Sequence, residues 1–109
     1  MLIKKIYFDN NIQNIIIKII DNLSVIGLLH AVISDNICSI NSLSINDKYQ
    51  NQGYGSILLY NLIEYCKKNE IKNIILDDMS DRFNQKNNIY LKFGFRYIIN
   101  GLPEMELFI

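Results

Sequence analysis

Gln50-Asn51-Gln52-Gly53-Tyr54-Gly55-Ser56 lies between an extended apolar run and a strongly helical one, where a phosphate-binding turn would be placed. Two glycines in three residues let the backbone approach an anion closely. The helix predicted to follow points its unpaired N–H groups and positive dipole end at the same spot. A lone Gly-x-Gly is a weak signal, since a helix start that merely tolerates glycine has the same spacing. The flanks exclude two familiar loops. Leu58 stands where a dinucleotide fingerprint needs a third small residue, and the Gly-Lys-Ser/Thr ending of a Walker A loop is absent.

Working outward, the period of the apolar pattern changes at this loop. Downstream, over residues 53–69, Leu59, Leu62, Ile63 and Cys66 recur at helical spacing while Asn61, Glu64 and Lys68 can face water. Residues 71–76 read as a buried strand, and strand, helix, strand in this order implies a right-handed crossover and a parallel pair. Residues 83–93 are helix-permissive, and Gly94 can cap them in the left-handed conformation. Residues 95–99, Asn100-Gly101 and residues 103–109 give a hairpin signal, with Pro103 at a strand start. Upstream, residues 2–8, 12–20, 23–33 and 37–45 are β-branched or alternating segments separated by Asp9-Asn10-Asn11, Asp21-Asn22 and Asp35-Asn36. They predict an antiparallel four-strand meander. The expected fold class is α+β, a mostly antiparallel twisted sheet with one parallel strand pair joined by a crossover helix.

Composition narrows the function classes. At 109 residues the chain is expected to form one domain, burying roughly two-thirds of its unfolded surface without needing metal or disulfide. Eleven basic and eleven acidic side chains balance, which removes the long-range attraction that nucleic-acid and membrane-surface binders use. No nucleic acid, membrane or metal partner is expected. Cys38 and Cys66 have no metal-ligand spacing, and no secretory leader precedes them, so both are read as thiols in a reducing, cytoplasmic compartment. The abundance of isoleucine and asparagine has no repeat period.

Gln-x-x-Gly-x-Gly directly before an amphipathic helix resembles the coenzyme A pyrophosphate loop of the GNAT acyltransferase superfamily. Tyr90-Leu91-Lys92-Phe93-Gly94-Phe95 is similar to that family's Tyr-x-x-x-Gly-Phe element. The resemblance covers residues 12–109, and it implies a single GNAT-like N-acetyltransferase domain over residues 1–109 with acetyl-CoA as co-substrate and an amine acceptor. It implies further that N–H groups of Gln50, Asn51, Gln52, Gly53, Tyr54, Gly55 and Ser56 hold the pyrophosphate. Backbone groups of Leu43, Ser44 and Ile45 would pair with the pantetheine arm and polarise the thioester; ordinary sheet core is the bland reading of Leu43 and Ile45. Tyr90 matches the family tyrosine that protonates the departing thiolate. Phe83 and Lys86 stand where the family often has asparagine and alanine. Asn87, one turn after Phe83, could reach the pantetheine amide instead, with Asn84 as the other candidate. Lys92 is read either as a phosphate contact or as a solvent-facing lysine. One departure stands out: the family usually places two helices between its first two strands, and only Asp9-Asn10-Asn11 separates them here. The run Asp77-Asp78-Met79-Ser80-Asp81-Arg82 in so short a chain resembles compact acetyltransferase-like proteins of large DNA viruses.

Acyl transfer to an amine needs near-attack positioning above all, which can supply about 7–11 kcal/mol. A general base is not identifiable; Asp77, Asp78, Glu104, Glu106 and His30 are the candidates. Two alternatives stay open: a catalytically silent coenzyme A-binding module and an interaction domain that kept the fold. A homodimer is allowed for all three, through an edge left by the strand at residues 103–109.

Overall fold

The structure, a computed structural model, describes residues 1–78 and 88–109. Among the described residues seven strands form one sheet: β1 Leu2–Asp9, β2 Ile12–Asp21, β3 Ser24–Ser34, β4 Ile37–Ile45, β5 Asn73–Asp77, β6 Arg96–Tyr97 and β7 Glu104–Phe108. Helix α1 spans Tyr54–Lys68 and α2 spans Ile89–Lys92, with a short 3-10 turn at Asp47–Tyr49. Strand order is β1-β2-β3-β4-β5-β7-β6. Every pairing is antiparallel except β4 with β5, the pair that α1 connects. The mixed sheet expected from the sequence is therefore present.

Three two-residue turns build the meander. Asn10-Asn11, Asn22-Leu23 and Asp35-Asn36 all have positive φ at both positions. That is the primed turn whose twist matches the flanking strands, and Asn and Asp tolerate it best. Leu23 is the exception. Expected in the third strand, it sits instead in the left-handed region at φ 66° and is fully exposed. The hydrogen-bonding register of Asp21 with Ser24 forces it there.

Cross-strand register sets the faces. Ile15 and Ile17 of β2, Leu29 and Ala31 of β3, Cys38 of β4, Ile74 of β5 and Met105 of β7 point to one side and are fully buried. Leu58, Leu59, Leu62 and Cys66 of α1 fill that side, each leucine contributing about 1.5–3 kcal/mol by burial. Gln13 reaches across to the hydroxyl of Tyr65, and the Lys4 ammonium lies 5.0 Å over the Tyr65 ring. Helix α2 lies on the same side: a Cβ built on Gly55 would meet Ile89 Cδ1 at 3.1 Å. Among the described residues no helix covers the opposite face. The molecule measures 41 × 37 × 21 Å, a helix layer on one side of a sheet.

Three further expectations are corrected. Of the helix expected over residues 83–93, the described part is the short α2, which begins after Asn88, extended at φ −69°, ψ 113° and capping it; residues 79–87 lie outside the described residues. The Asn100-Gly101 hairpin is not a two-residue primed turn. Only Gly101 has positive φ, and the pair forms the centre of a turn closed by Leu102 N–H on the Ile99 carbonyl, inside a longer loop. The strand proposed as a free edge is interior, because β7 lies between β5 and β6. The sheet edges are β1 and β6. No helix among the described residues is long and apolar enough to cross a membrane.

Candidate active site

A bulge makes the site. Residue Ala31 of β3 pairs with Ile40 and His30 pairs with Ser42, so Asn41 is an extra residue in β4. Strand β4 pairs with β5 only from Ile37 to Ile40, then departs and runs on to Ile45 beside β3 alone. Among the described residues nothing pairs with its β5-side edge beyond that point. Asn46 donates to the Ile26 carbonyl across β3, and the two-residue alternation turns the backbone groups of Leu43 and Ile45 toward the gap and those of Ser44 toward β3. A cleft of about 700 Å³ opens there, walled by Leu43 and Ile45 on one side and by Leu76, Asp77 and Asp78 on the other.

The glycine-rich stretch closes one end of the cleft. Gln50 Nε2 donates to the Ile45 carbonyl at 3.1 Å and to Asp47 Oδ1 at 3.2 Å, and Gln52 Nε2 donates to the Lys48 carbonyl at 3.2 Å. These bonds brace the turn from below. Asn51 and Gly53 are left-handed at φ 62° and 88°, and open space surrounds the position of a Cβ on Gly53. Ile57 is the first residue to donate back, to the Gly53 carbonyl at 3.1 Å. The N–H groups of Tyr54, Gly55 and Ser56 thus leave the helix end without intrahelical acceptors. Among the described residues no side chain caps this end, and its first turn holds no acid, so its positive pole is left for an anion. Gln50, Asn51, Gly53, Gly55 and Ser56 line the cleft; Ser44, Gln52 and Tyr54 do not.

Tyr90 lines the opposite wall, and its motif has a local structural cause. Phe95 N–H donates to the Tyr90 carbonyl at 3.0 Å and Gly94 N–H to the Leu91 carbonyl at 3.1 Å, with Gly94 at φ 97°. That is a Schellman cap, in which Phe95 packs edge-on against the Tyr90 ring at 5.7 Å. Tyrosine, glycine and phenylalanine at this spacing fix the ring before any chemistry is asked of it. Burial, then the neighbouring Asp78 carboxylate, push the Tyr90 phenol up to about 12.

Asn88 is the residue that sequence reasoning missed. Its Oδ1 accepts from Tyr90 N–H at 2.8 Å and Leu91 N–H at 3.2 Å, and its Nδ2 donates to Asp78 Oδ2 at 2.6 Å. Tyr97 Oη donates to the same oxygen at 2.8 Å, and Asp78 N–H donates to the Pro103 carbonyl at 2.7 Å. A buried polar cluster therefore ties α2 to the ends of β5, β6 and β7. An asparagine just before Ile89-Tyr90-Leu91 was a legible cap signal, but its carboxylate partner was not.

The base candidates now separate. Asp78 is 4% exposed and engaged by Asn88 and Tyr97. Nε2 of His30 is 3.0 Å from Asn14 Oδ1, and His30 pairs in register with Ser42. Glu104 pairs with Asp77, and Glu106 with Arg96. Only Asp77 lines both the main cleft and a second one of about 460 Å³, which it shares with Ile40, Asn41 and Leu76. Lys92 stands on the main cleft. Asn87, Asn84, Phe83 and Lys86, with the run from Met79 to Arg82, lie outside the described residues.

A mixed sheet parted at its parallel pair, with a glycine-rich helix start at the gap, is a GNAT fold. Residues 3–95 match the Acetyltransferase (GNAT) family, and the chain belongs to it. The PaiA N-acetyltransferase of Thermoplasma acidophilum, in complex with coenzyme A, has a TM-score of 0.75 at 19% identity over 88% of this chain and 61% of its own. A GNAT acetyltransferase of Elizabethkingia anophelis with acetyl-CoA bound gives 0.72 at 21%, over 88% and 76%. One from Staphylococcus aureus Mu50 gives 0.72 at 23%, over 87% and 67%. At these identities the likeness is one of fold. The chain spans 61% of the length of the PaiA structure. No curated protein matches the sequence.

Proposed function

We propose that this chain transfers an acetyl group from acetyl-CoA to an amine, of a protein or a small molecule, by direct attack in a ternary complex. The observation that carries the reading is the gap opened at Asn41, with the uncapped start of α1 at one end and Tyr90 on its wall. In this reading the N–H groups of Tyr54, Gly55 and Ser56 hold the pyrophosphate over the turn formed by Gln50, Asn51, Gln52 and Gly53. The unpaired edge of β4 at Leu43 and Ile45 aligns the pantetheine arm and polarises the thioester carbonyl, while Ser44 keeps that edge in register with β3. Asn87 is assigned to a pantetheine amide on the sequence resemblance.

The amine nitrogen attacks the thioester carbon, the C–S bond breaks, and the electron pair leaves on sulfur. Tyr90 donates a hydrogen bond to that sulfur. A phenol near 12 facing a thiol of about 8.5 makes complete transfer uphill by roughly 5 kcal/mol. Tyr90 therefore stabilises the charge as it builds, and the proton lost by the amine restores the balance. Asp77, on both clefts, draws the acceptor's ammonium to the gap. The two free, buried thiols, Cys38 and Cys66, support a reducing, cytoplasmic setting; their hydrogen bond and burial push the Cys38 thiol far up.

Calorimetric titration with acetyl-CoA, wild type against Gly53→Glu, tests the site. Micromolar binding that the variant loses, followed by thiol release on adding an amine panel, is the expected result. Binding with no thiol release under any amine establishes the second reading, a silent coenzyme A-binding module. That reading is favoured by the direct β1–β2 turn at Asn10-Asn11, which leaves no helical acceptor wall there. No binding by the wild type overturns both.

A further inference from the structure

Strand β1 closes the sheet with an edge that nothing covers among the described residues. The other edge, β6, is two residues long, whereas β1 runs eight residues and pairs with β2 without a bulge. Short strands, bulges, prolines and projecting charges are what keep sheet edges from pairing with other chains. Residues 2–9 hold no proline, and both lysines turn back on their own chain. Lys4 Nζ lies 5.0 Å over the Tyr65 ring and Lys5 Nζ 5.9 Å over the Tyr7 ring. All eight residues are exposed, among them Leu2, Ile3, Ile6, Tyr7 and Phe8, the last at 71%.

The ladder defines which backbone groups of β1 are left over. Met1 and Ile20 exchange both bonds, each at 2.8 Å, so alternation gives the bonded pairs with β2 to Ile3, Lys5, Tyr7 and Asp9. The N–H and C=O groups of Leu2, Lys4, Ile6 and Phe8 therefore point away from β2, where no described strand meets them.

We propose that a second copy of this chain pairs with this edge, antiparallel, about a two-fold axis normal to the sheet beside Ile6. Only outward-facing residues can bond across such a seam, which leaves few registers. An axis at Lys4 or Lys5 sets lysine directly against lysine, and an axis at Ile3 or Tyr7 shortens the overlap to residues 2–4 or 5–9. The axis at Ile6 pairs residues 3–9 of both copies. Lys4 then faces Phe8 of the second copy, Lys5 faces Tyr7, Ile3 faces Asp9, and Ile6 faces Ile6. Lys5 and Asp9 become diagonal neighbours of opposite charge on one face. Each of Lys4, Ile6 and Phe8 gives its N–H and receives one at its C=O, and every contact is made in duplicate, as an isologous interface requires. The paired stretch spans roughly 24 Å, and across the 21 Å thickness of the molecule it outlines roughly 500 Å². A stable interface takes about 800 Å² from each partner, so this seam makes a weak dimer held mainly by main-chain bonds. The pairing is independent of whether the chain transfers an acetyl group.

Sedimentation equilibrium and residue-level hydrogen exchange test it together. The average mass is expected to climb from 12.8 kDa toward twice that value through the micromolar range. At ~10 times the dissociation constant, mass action leaves roughly a fifth of the chains monomeric, so exchange at Lys4, Ile6 and Phe8 slows about fivefold against dilute protein. Ile3, Lys5 and Tyr7, already bonded to β2, change less. Ile6→Pro removes the outward N–H at the axis and leaves every β1–β2 bond in place, while Ile6→Lys sets two ammonium groups against each other there; each should weaken the dimer at least roughly tenfold. Unchanged exchange in β3 shows that a variant is folded, and Ile6→Lys alone suffices if the proline variant is not. A wild type that stays monomeric up to millimolar concentration overturns the proposal. So does a dimer that a folded Ile6→Lys variant keeps at full strength, and so does slowing along β1 that lacks the two-residue alternation.

Discussion

Tyr90 is the residue on which chemistry and stability meet. Its ring is held by the Schellman cap and by Phe95, and its backbone N–H by Asn88, so Tyr90→Phe removes the hydroxyl with little else disturbed. If Tyr90 acts on the leaving thiolate, that variant should lose about ten- to a hundredfold in kcat with the KM for acetyl-CoA unchanged, because a thiol leaving group needs modest help. Steady-state thiol release measures this; an unchanged kcat removes Tyr90 from any role at the leaving thiolate. The pH profile carries a second signature. An amine near 10.4 must be neutral to attack, so the rate should climb about tenfold per pH unit below that value. The phenol, raised to about 12, stays protonated throughout and gives no falling limb in the range. The same shift has a sign for stability. The folded state holds this proton more tightly than the unfolded one, so its contribution is complete below pH 10 and is lost as pH rises toward 12. The stability difference between wild type and Tyr90→Phe should therefore shrink over that window in denaturant titrations.

Turns and caps decide the elements. Two of the three meander turns place only Asn or Asp in the left-handed region, and the third places Leu23 there at φ 66°. A leucine in that conformation costs roughly 1–2 kcal/mol, part of which glycine returns as lost chain entropy in the unfolded state. Leu23→Gly should stabilise the protein by about 0.5–1 kcal/mol in chemical denaturation, and a destabilised variant would show that the side chain has a contact this exposed turn does not suggest. The elements were legible for reasons visible in the residues. Alternation from Ile37 to Ile45, helical spacing from Leu59 to Cys66 and the Asn-rich turns are local signals, and the structure follows them. Where expectation failed, a long-range partner was in control. The Asp21–Ser24 register drew Leu23 out of its strand, and Asn88, bonded to the buried Asp78 carboxylate, stands extended as the cap of α2 where helix was expected.

Across the whole molecule, protection should follow sheet position. Strand β3 is paired on both sides and lies under α1, so its amides should exchange only on global unfolding, whereas the edge-facing amides of β1 should exchange orders of magnitude faster. Hydrogen exchange read by residue checks this; comparable protection in both strands would mean that something pairs with the β1 edge. The candidate site is a product of this scale. The sequence by itself determined the order of strands and helices, the parallel pair, and the glycine-rich helix start, because each depends on residues close together in the chain. The tertiary structure alone decided that Asn41 is the extra residue that parts β4 from β5. It alone decided that Ser44 turns toward β3 while Leu43 and Ile45 face the gap, and that Asp78, Asn88 and Tyr97 share one buried cluster. Bulge position, backbone facing and burial are set by register between distant strands, and register is a property of the assembled sheet.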